Sequence, residues 1–197
     1  MFRLILASTS PYRKQVLEQL GIPFEVRASG VDESHFKGLP PQVQALTLAE
    51  EKAKSISVPG ALVIGSDQVV DLDGEVLGKP GTEERAVDQI MRLNGRAHRL
   101  ITAVAVHRCD DGRLRSAIDV HTLWMRKLDR KVAEHYIDRD LPLDCAGSYK
   151  LERRGVALFE KVEADPETSD DTAIIGLPLQ KLLMILRGFG VDVLTYP

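Results

Sequence analysis

The sequence predicts an α/β fold, a mixed sheet with helices packed on it. Three observations carry that prediction: an apolar strand pattern at residues 4–7 that leads through a short loop into a helix start, a continuous apolar run at residues 61–66 that suits a central strand covered on both faces, and amphipathic helical stretches between such segments. At 197 residues with 44% hydrophobic content the chain can bury a core as one domain, or as one domain with two lobes, and a disordered chain is excluded. The formal charge of -3 is close to balance, so any anion site has to be built locally, and a nucleic-acid partner is not expected. Cys109 and Cys145 lack CxxC spacing and read as small, reduced, structural thiols of a cytoplasmic protein, with no zinc site. No apolar run approaches the length of a bilayer span, so a membrane partner is not expected either.

The chain is organised around Leu4-Ile5-Leu6-Ala7-Ser8-Thr9-Ser10-Pro11-Tyr12-Arg13-Lys14. It reads as a buried strand, a tight hydroxyl-rich loop and a helix start bearing two cations, which is the anatomy of a phosphate site. Ser10 suits the N-cap and Pro11 the first turn, so free backbone N–H groups point at whatever anion sits on the loop. An ordinary capped helix with solvated Arg13 and Lys14 fits this stretch equally well. Val16, Leu17 and Leu20 form one helical stripe that Gly21 closes, and residues 24–27 alternate like a half-buried strand. Val31-Asp32-Glu33 lies in a polar loop. Pro40 and Pro41 then start a helix running to about residue 57, with Val43, Leu46, Ala49, Ala53 and Ile56 inward and Glu50, Glu51 and Lys52 outward. Taken alone, Lys52 reads as an exposed helical lysine.

Residues 61–66 form the central strand, with Asp67 directly at its end, a favoured place for chemistry in open α/β sheets and also a common capping position. Residues 69–72 and 75–77 flank Asp73-Gly74 as a hairpin with a type I′ turn, which brings Gly78-Lys79-Pro80 back towards Asp67. Thr82 caps a helix to about Leu93, ended by Asn94-Gly95. Residues 101–106 and 117–125 read as long strands around Asp110-Asp111-Gly112, and Asp129 caps a further helix. His107, His121 and His135 have no ligand spacing. Asp144-Cys145-Ala146-Gly147-Ser148-Tyr149-Lys150-Leu151-Glu152 is a small-residue loop, residues 156–162 a strand, and Asp170-Asp171 a turn before a buried strand at Ile174-Ile175. Pro178 opens the last helix, with Leu179, Leu182, Leu183 and Leu186 on its core face.

Neither GxxxxGK[ST] nor GxGxxG occurs, so a P-loop ATPase and a dinucleotide oxidoreductase are unsupported. Instead the loop of Ser8, Ser10 and Arg13, the acid Glu33, Lys52, Asp67 and Lys79 supply cations for a polyphosphate and hard oxygens for a divalent metal cation such as Mg²⁺, Mn²⁺ or Co²⁺.

The ordered segments Leu6-Ala7-Ser8-Thr9-Ser10-Pro11-Tyr12-Arg13, Val31-Asp32-Glu33, Glu51-Lys52-Ala53, Gly65-Ser66-Asp67-Gln68, Gly78-Lys79-Pro80 and Gly176-Leu177-Pro178 resemble the motifs of the Maf family over almost the whole chain. The resemblance implies a cytoplasmic nucleoside triphosphate pyrophosphatase, similar in fold to the inosine triphosphate pyrophosphatases: an elongated mixed sheet flanked by helices, two lobes in a single domain spanning residues 1–197, a central cleft, and a homodimer. It implies Asp67 as proton acceptor and metal ligand, Glu33 as metal ligand, and Ser8, Ser10, Arg13, Lys52 and Lys79 on phosphate. The pyrimidine-nucleotide branch has Arg, Thr and Gln where this chain has Tyr12, Gln68 and Glu152. Gly-Ser-Asp-Gln and Cys-Ala-Gly-Ser-x-x-x-Glu instead resemble the branch that hydrolyses 7-methyl-GTP, although that branch often has Trp where Tyr12 stands. A cationic N7-methylated guanine stacks on an aromatic face more strongly by about 0.5–2 kcal/mol. A carboxylate at Glu152 accepts from guanine N1–H and the exocyclic amine, a pair that uracil and thymine lack, while Gln68 reads another edge. The alternatives are a dTTP/UTP or broad modified-nucleotide pyrophosphatase, and a noncatalytic nucleotide-binding regulator of septum formation.

Overall fold

The computed structural model describes residues 2–164 and 169–196. Among them run strands β1 (Arg3–Ala7), β2 (Glu25–Arg27), β3 (Ala61–Leu72), β4 (Glu75–Leu77), β5 (Ala97–Arg108), β6 (Leu114–Met125) and β7 (Phe159–Ala164), with helices α1 (Pro11–Glu18), α2 (Pro41–Lys54), α3 (Glu83–Leu93), α4 (Arg130–Asp140) and α5 (Leu179–Gly188). The strands form a seven-stranded open sheet in the order β2-β1-β3-β5-β6-β7, with β4 beside β3. It is mixed: β1 pairs in parallel with β2 and β3, whereas β3–β4 and β6–β7 are antiparallel. The α/β class and the mixed sheet are as the sequence predicts.

The chain divides into two compact units, residues 1–67, 102–119 and 170–197 in the first, and 68–101 and 120–169 in the second. In the first, one face of the sheet buries Leu4, Leu6, Leu62, Ile64, Val104 and Val106 against Val16 and Leu17 of α1 and Leu182, Ile185 and Leu186 of α5. The other face buries Ile5, Ala7, Ala61 and Val63 with Ile56, just beyond α2. In the second, Val70, Leu72, Leu100 and Leu123 pack with Ile90 and Leu93 of α3, Ile137 of α4, and Tyr149 and Phe159. Burying a large aliphatic side chain contributes about 1.5–3 kcal/mol, so these clusters hold the helices against the sheet.

Several sequence expectations need correction. The runs 61–66 and 69–72 are one strand, so Asp67 lies mid-strand and not at a strand end. The strand continues because Asp67 and Asp71 are buried polar residues whose partners come from elsewhere in the fold, a compensation invisible to local pattern. Helix α2 ends at Lys54, and it buries Gln44, Ala45, Leu48, Ala49, Lys52 and Ala53 while Val43 is exposed. Apolar residues lie all round this helix, which leaves its inward face ambiguous from periodicity. Residues Asp171–Ile175 form a 3₁₀ turn where a strand is expected, because the Asp170 carboxylate accepts from Thr172 N and Thr172 Oγ1 and folds the segment back on itself. Strand β7 starts at Phe159, after a 3₁₀ turn over Arg154–Leu158. Leu183 is only half-buried; Ile185 takes that place in the core. Asp129 occupies the N-cap of α4 but its side chain makes no capping bond. The hairpin is as expected, with Asp73 and Gly74 at φ 52° and 91°, the left-handed pair a type I′ turn demands.

Candidate active site

The first unit gathers most of the sequence-predicted site residues. Strand β1 ends buried at Ala7, and Ser8, itself buried, turns the chain into α1. Ser8 Oγ accepts from Ser10 N at 3.2 Å and from Arg13 Nη1 at 3.4 Å, while Ser10 Oγ accepts from Arg13 N at 3.4 Å. Ser10 is therefore the helix cap the sequence predicts, and the loop is braced by its own hydroxyls. Arg13 Nε donates to the Gly176 carbonyl at 3.0 Å. Ser66 Oγ lies 2.9 Å from that same carbonyl and 2.8 Å from Ala103 O, its single proton shared between the two. The Gly176 loop thus ties α1 to the middle of β3.

The loop is itself anchored by Asp170. Its second carboxylate oxygen accepts from Gln180 N and Lys181 N at the start of α5, and Thr102 Oγ1 donates to Ala173 O at 2.9 Å. Asp170 is almost wholly buried and serves the backbone. It is a cap and not a metal ligand.

On the opposite face of β3, Gly65 and Asp67 both point towards α2, as residues two apart on a strand must. A Cβ at Gly65 would run into the Ala49 carbonyl and the Ala53 amide, so the missing side chain lets helix backbone lie directly on strand backbone. Lys52, between those two alanines in sequence, consequently lies under the helix and not on its solvent side, which overturns its reading as an exposed lysine. Its Nζ donates to Asp67 Oδ1 at 2.7 Å and Glu33 Oε1 at 2.6 Å. Lys52 and Asp67 are each 6% exposed, whereas the Glu33 side chain is 53% exposed, so the cluster has a dry end and a wet end. Asp32, just before Glu33, caps the 3₁₀ turn that carries it.

Burial pushes the Asp67 carboxyl above its ordinary pKa, against the opposing pull of Lys52 and Arg13. Burial lowers the Arg13 pKa from that of a free guanidinium, and Asp67 and Glu33 hold it up. The arrangement is a half-buried guanidinium, a buried lysine and a buried carboxylate of raised basicity, beside a hydroxyl-lined loop at a helix start. Chemically it can bind oxyanions and accept a proton. Among the described residues no group of three or more His, Cys, Asp or Glu side chains gathers as a metal cage. Glu33 and Asp67, both bound to the Lys52 ammonium, nonetheless carry oxygens of the kind Mg²⁺ uses when substrate phosphates complete its shell, and are the residues that could hold such an ion.

Tyr12 is half-buried on α1. The remaining three predicted residues belong to the second unit. Gln68 is half-buried in β3, Lys79 is exposed just after β4, and Glu152 is exposed in the loop before β7. Both cysteines are free, and burial beside Asp144 pushes the Cys145 thiol up to about 12, as suits a structural thiol. The sequence reading missed Thr102 and Asp170 as site supports; Ser66 and Gly176 stand inside motifs it singled out, but their shared contact spans 110 residues of chain. No helix among the described residues is long and apolar enough to cross a membrane.

The chain is 40% identical to a 7-methyl-GTP pyrophosphatase of Vibrio cholerae, over 98% of both chains. It is 43% identical to one of Bdellovibrio bacteriovorus, over 94% of this chain and 96% of that one, and 44% identical to one of Xanthomonas oryzae pv. oryzae, over 96% and 98%. A HAM1 protein from Coxiella burnetii shares the fold, with a TM-score of 0.51 at 16% identity, covering 95% of this chain and all of that one. The Maf-like protein family model matches residues 3–189, and with it the buried Asp67, the Ser8 to Arg13 loop and the Gly176 loop, so the chain belongs to the Maf family.

Proposed function

We propose that this chain is a cytoplasmic, metal-dependent nucleoside triphosphate pyrophosphatase that hydrolyses 7-methyl-GTP to 7-methyl-GMP and pyrophosphate. The names of its near-full-length relatives support the substrate. The observation that carries the chemistry is the buried Asp67 carboxylate, raised in basicity by burial yet paired with Lys52.

In this reading the triphosphate lies on the Ser8 to Arg13 loop, held by the Ser8 and Ser10 hydroxyls, the α1 backbone amides and the Arg13 guanidinium. Lys52 and Lys79 supply further positive charge. Asp67 orients a water and takes its proton as the water oxygen attacks the α-phosphorus, and the bond from that phosphorus to the α,β-bridging oxygen breaks to release pyrophosphate. Glu33 and Asp67 would hold a divalent ion, whose chemistry when bound is to neutralise charge on the phosphates and leaving group. Tyr12 offers an aromatic face to the cationic purine, Glu152 accepts from the guanine N1–H and amine, and Gln68 reads another edge.

Pyrophosphate release from 7-methyl-GTP, GTP, UTP and dTTP, each with Mg²⁺, Mn²⁺ and Co²⁺, tests this. The expected result is kcat/KM highest on 7-methyl-GTP. Preference for UTP or dTTP would reject the base assignment, and nucleotide binding without pyrophosphate release would point to a noncatalytic regulator.

A further inference from the structure

Gln89 of α3 takes no part in the mechanism above, yet both ends of its amide are engaged. Its Nε2 donates to the Gly78 carbonyl at 2.9 Å, and its Oε1 accepts from Ser148 Oγ at 2.6 Å. Gly78 directly precedes Lys79, and Ser148 opens the short run that ends at Glu152. One side chain therefore bridges the loop carrying a proposed phosphate cation and the loop carrying the proposed base reader.

The second loop is stiff between those points. Gly147 and Ser148 are consecutive left-handed residues, at φ 73° and 63°, and Ser148 is fully buried. A β-carbon at Gly147 would meet the Tyr149 ring and Val70. Tyr149 is buried with its hydroxyl 3.0 Å from His98 Nε2, Lys150 N donates to the Tyr136 hydroxyl at 3.0 Å, and Lys150 Nζ donates to the Asp140 and Leu141 carbonyls. Tyr149 and Lys150, between Ser148 and Glu152, are thereby held in place, so the run that begins at Ser148 reaches Glu152 through fixed residues. A left-handed non-glycine residue held by such contacts is strain fixed in place, a feature that concentrates at working sites. Gly81 N also donates to Leu143 O at 3.1 Å, a second link between the two segments, further along the chain from Gly78.

The chemistry of position 89 is demanding. Gly78 O can only accept, so the partner must donate; the opposite end must accept from a hydroxyl. Glutamine alone among residues of that length does both, whereas glutamate would set a carboxylate oxygen against the carbonyl and leucine would do neither. Fold stability does not ask for this residue, since Gln89 is half-buried on the rim of α3 and the core of the unit is held by Ile90 and Leu93 on the same helix.

We infer that Gln89 is a positioning residue that locks the Lys79 loop to the Glu152 loop, so that phosphate binding and base selection are set together. This rests on the function proposed above for Lys79 and Glu152. The experiment compares wild type with Gln89→Leu, Gln89→Glu and Ser148→Ala by steady-state kinetics on 7-methyl-GTP and UTP, and by amide hydrogen exchange of the nucleotide-free protein. For Gln89→Leu we expect KM for 7-methyl-GTP to rise about tenfold with kcat within about twofold, and the kcat/KM preference over UTP to fall at least about fivefold. Exchange should quicken in residues 78–81 and 145–152 together. Gln89→Glu should quicken mainly the first loop and Ser148→Ala mainly the second, and Gln89→Leu with Ser148→Ala should cost no more than Gln89→Leu alone, since both cut one bridge. Unchanged exchange in either loop with Gln89→Leu, or fully additive losses in the pair, overturns the inference. If wild type fails to hydrolyse 7-methyl-GTP, the proposed function falls, while the exchange comparison still decides whether Gln89 locks the loops.

Discussion

Replacing Asp67 with Asn and Lys52 with Met separates the chemistry of the buried pair from its structural role. In Asp67→Asn, Lys52 keeps its bond to Glu33, and the neutral amide occupies a place where burial already disfavours charge, so stability should change by no more than about 1 kcal/mol. At about 2–4 °C per kcal/mol for a protein of this size, Tm should move by only a few degrees. Loss of a general base costs about 10²–10⁴ in rate, equivalent to about 3–5 kcal/mol in the barrier, so kcat should fall at least a hundredfold. Lys52→Met does the opposite to the fold. It removes the cation from a carboxylate whose side chain is 9% exposed, and stranding a buried charge costs about 3–5 kcal/mol at most, less whatever Asp67 recovers by taking up a proton. Calorimetry should then show Tm lowered clearly more than in Asp67→Asn, by up to about 6–20 °C. Both variants should be inactive, one stable and one not. An Asp67→Asn protein that turns over within tenfold of wild type, or one that melts as early as Lys52→Met, would refute the assignment.

The raised Asp67 pKa has a definite sign in kinetics: the base is lost by protonation on the acid side, so kcat/KM should climb as pH rises through a midpoint above the ordinary aspartate value. For stability the same shift means that ionised Asp67 burdens the fold once pH exceeds its folded pKa, a dependence that Asp67→Asn should remove from Tm against pH. His98 behaves differently, since burial lowers its pKa from 6.5 to about 4. Its contribution is present above pH 6.5 and lost as pH falls towards about 4, a total of about 3 kcal/mol, and His98→Gln should flatten the Tm profile in that window. Gly65→Ala should push α2 off β3 and take Lys52 with it, lowering stability by about 1–3 kcal/mol and activity by more than tenfold. EDTA should abolish pyrophosphate release and added Mg²⁺ or Mn²⁺ restore it, with Tm of the nucleotide-free protein little changed, because Lys52 already bridges Glu33 and Asp67 and the ion's shell is completed only by substrate phosphates.

Much of the first unit's site is legible in the sequence because it is local. The Ser10 cap and the loop after β1 each depend on a few neighbouring residues, as does the Asp73-Gly74 turn of the second unit, and each forms as its residues dictate. Lys52 is the instructive failure. Its burial depends on a glycine in β3 that removes one β-carbon, and nothing near Lys52 announces that absence. Asp67 likewise masks a continuous strand, since a carboxylate at the end of an apolar run reads as a boundary until its partner is known. Ile174-Ile175 looks like a strand by composition, but Asp170 takes over the backbone and makes a 3₁₀ turn whose end presents the Gly176 carbonyl to Arg13 and Ser66. Support of this kind joins residues far apart in the chain, so it comes into view only with the fold.

The most direct measurement is hydrolysis of 7-methyl-GTP in H₂¹⁸O, with mass spectrometry of both products. Attack by an Asp67-activated water at the α-phosphorus predicts one labelled oxygen in 7-methyl-GMP and none in pyrophosphate. Label in pyrophosphate, or release of orthophosphate in its place, would contradict the account.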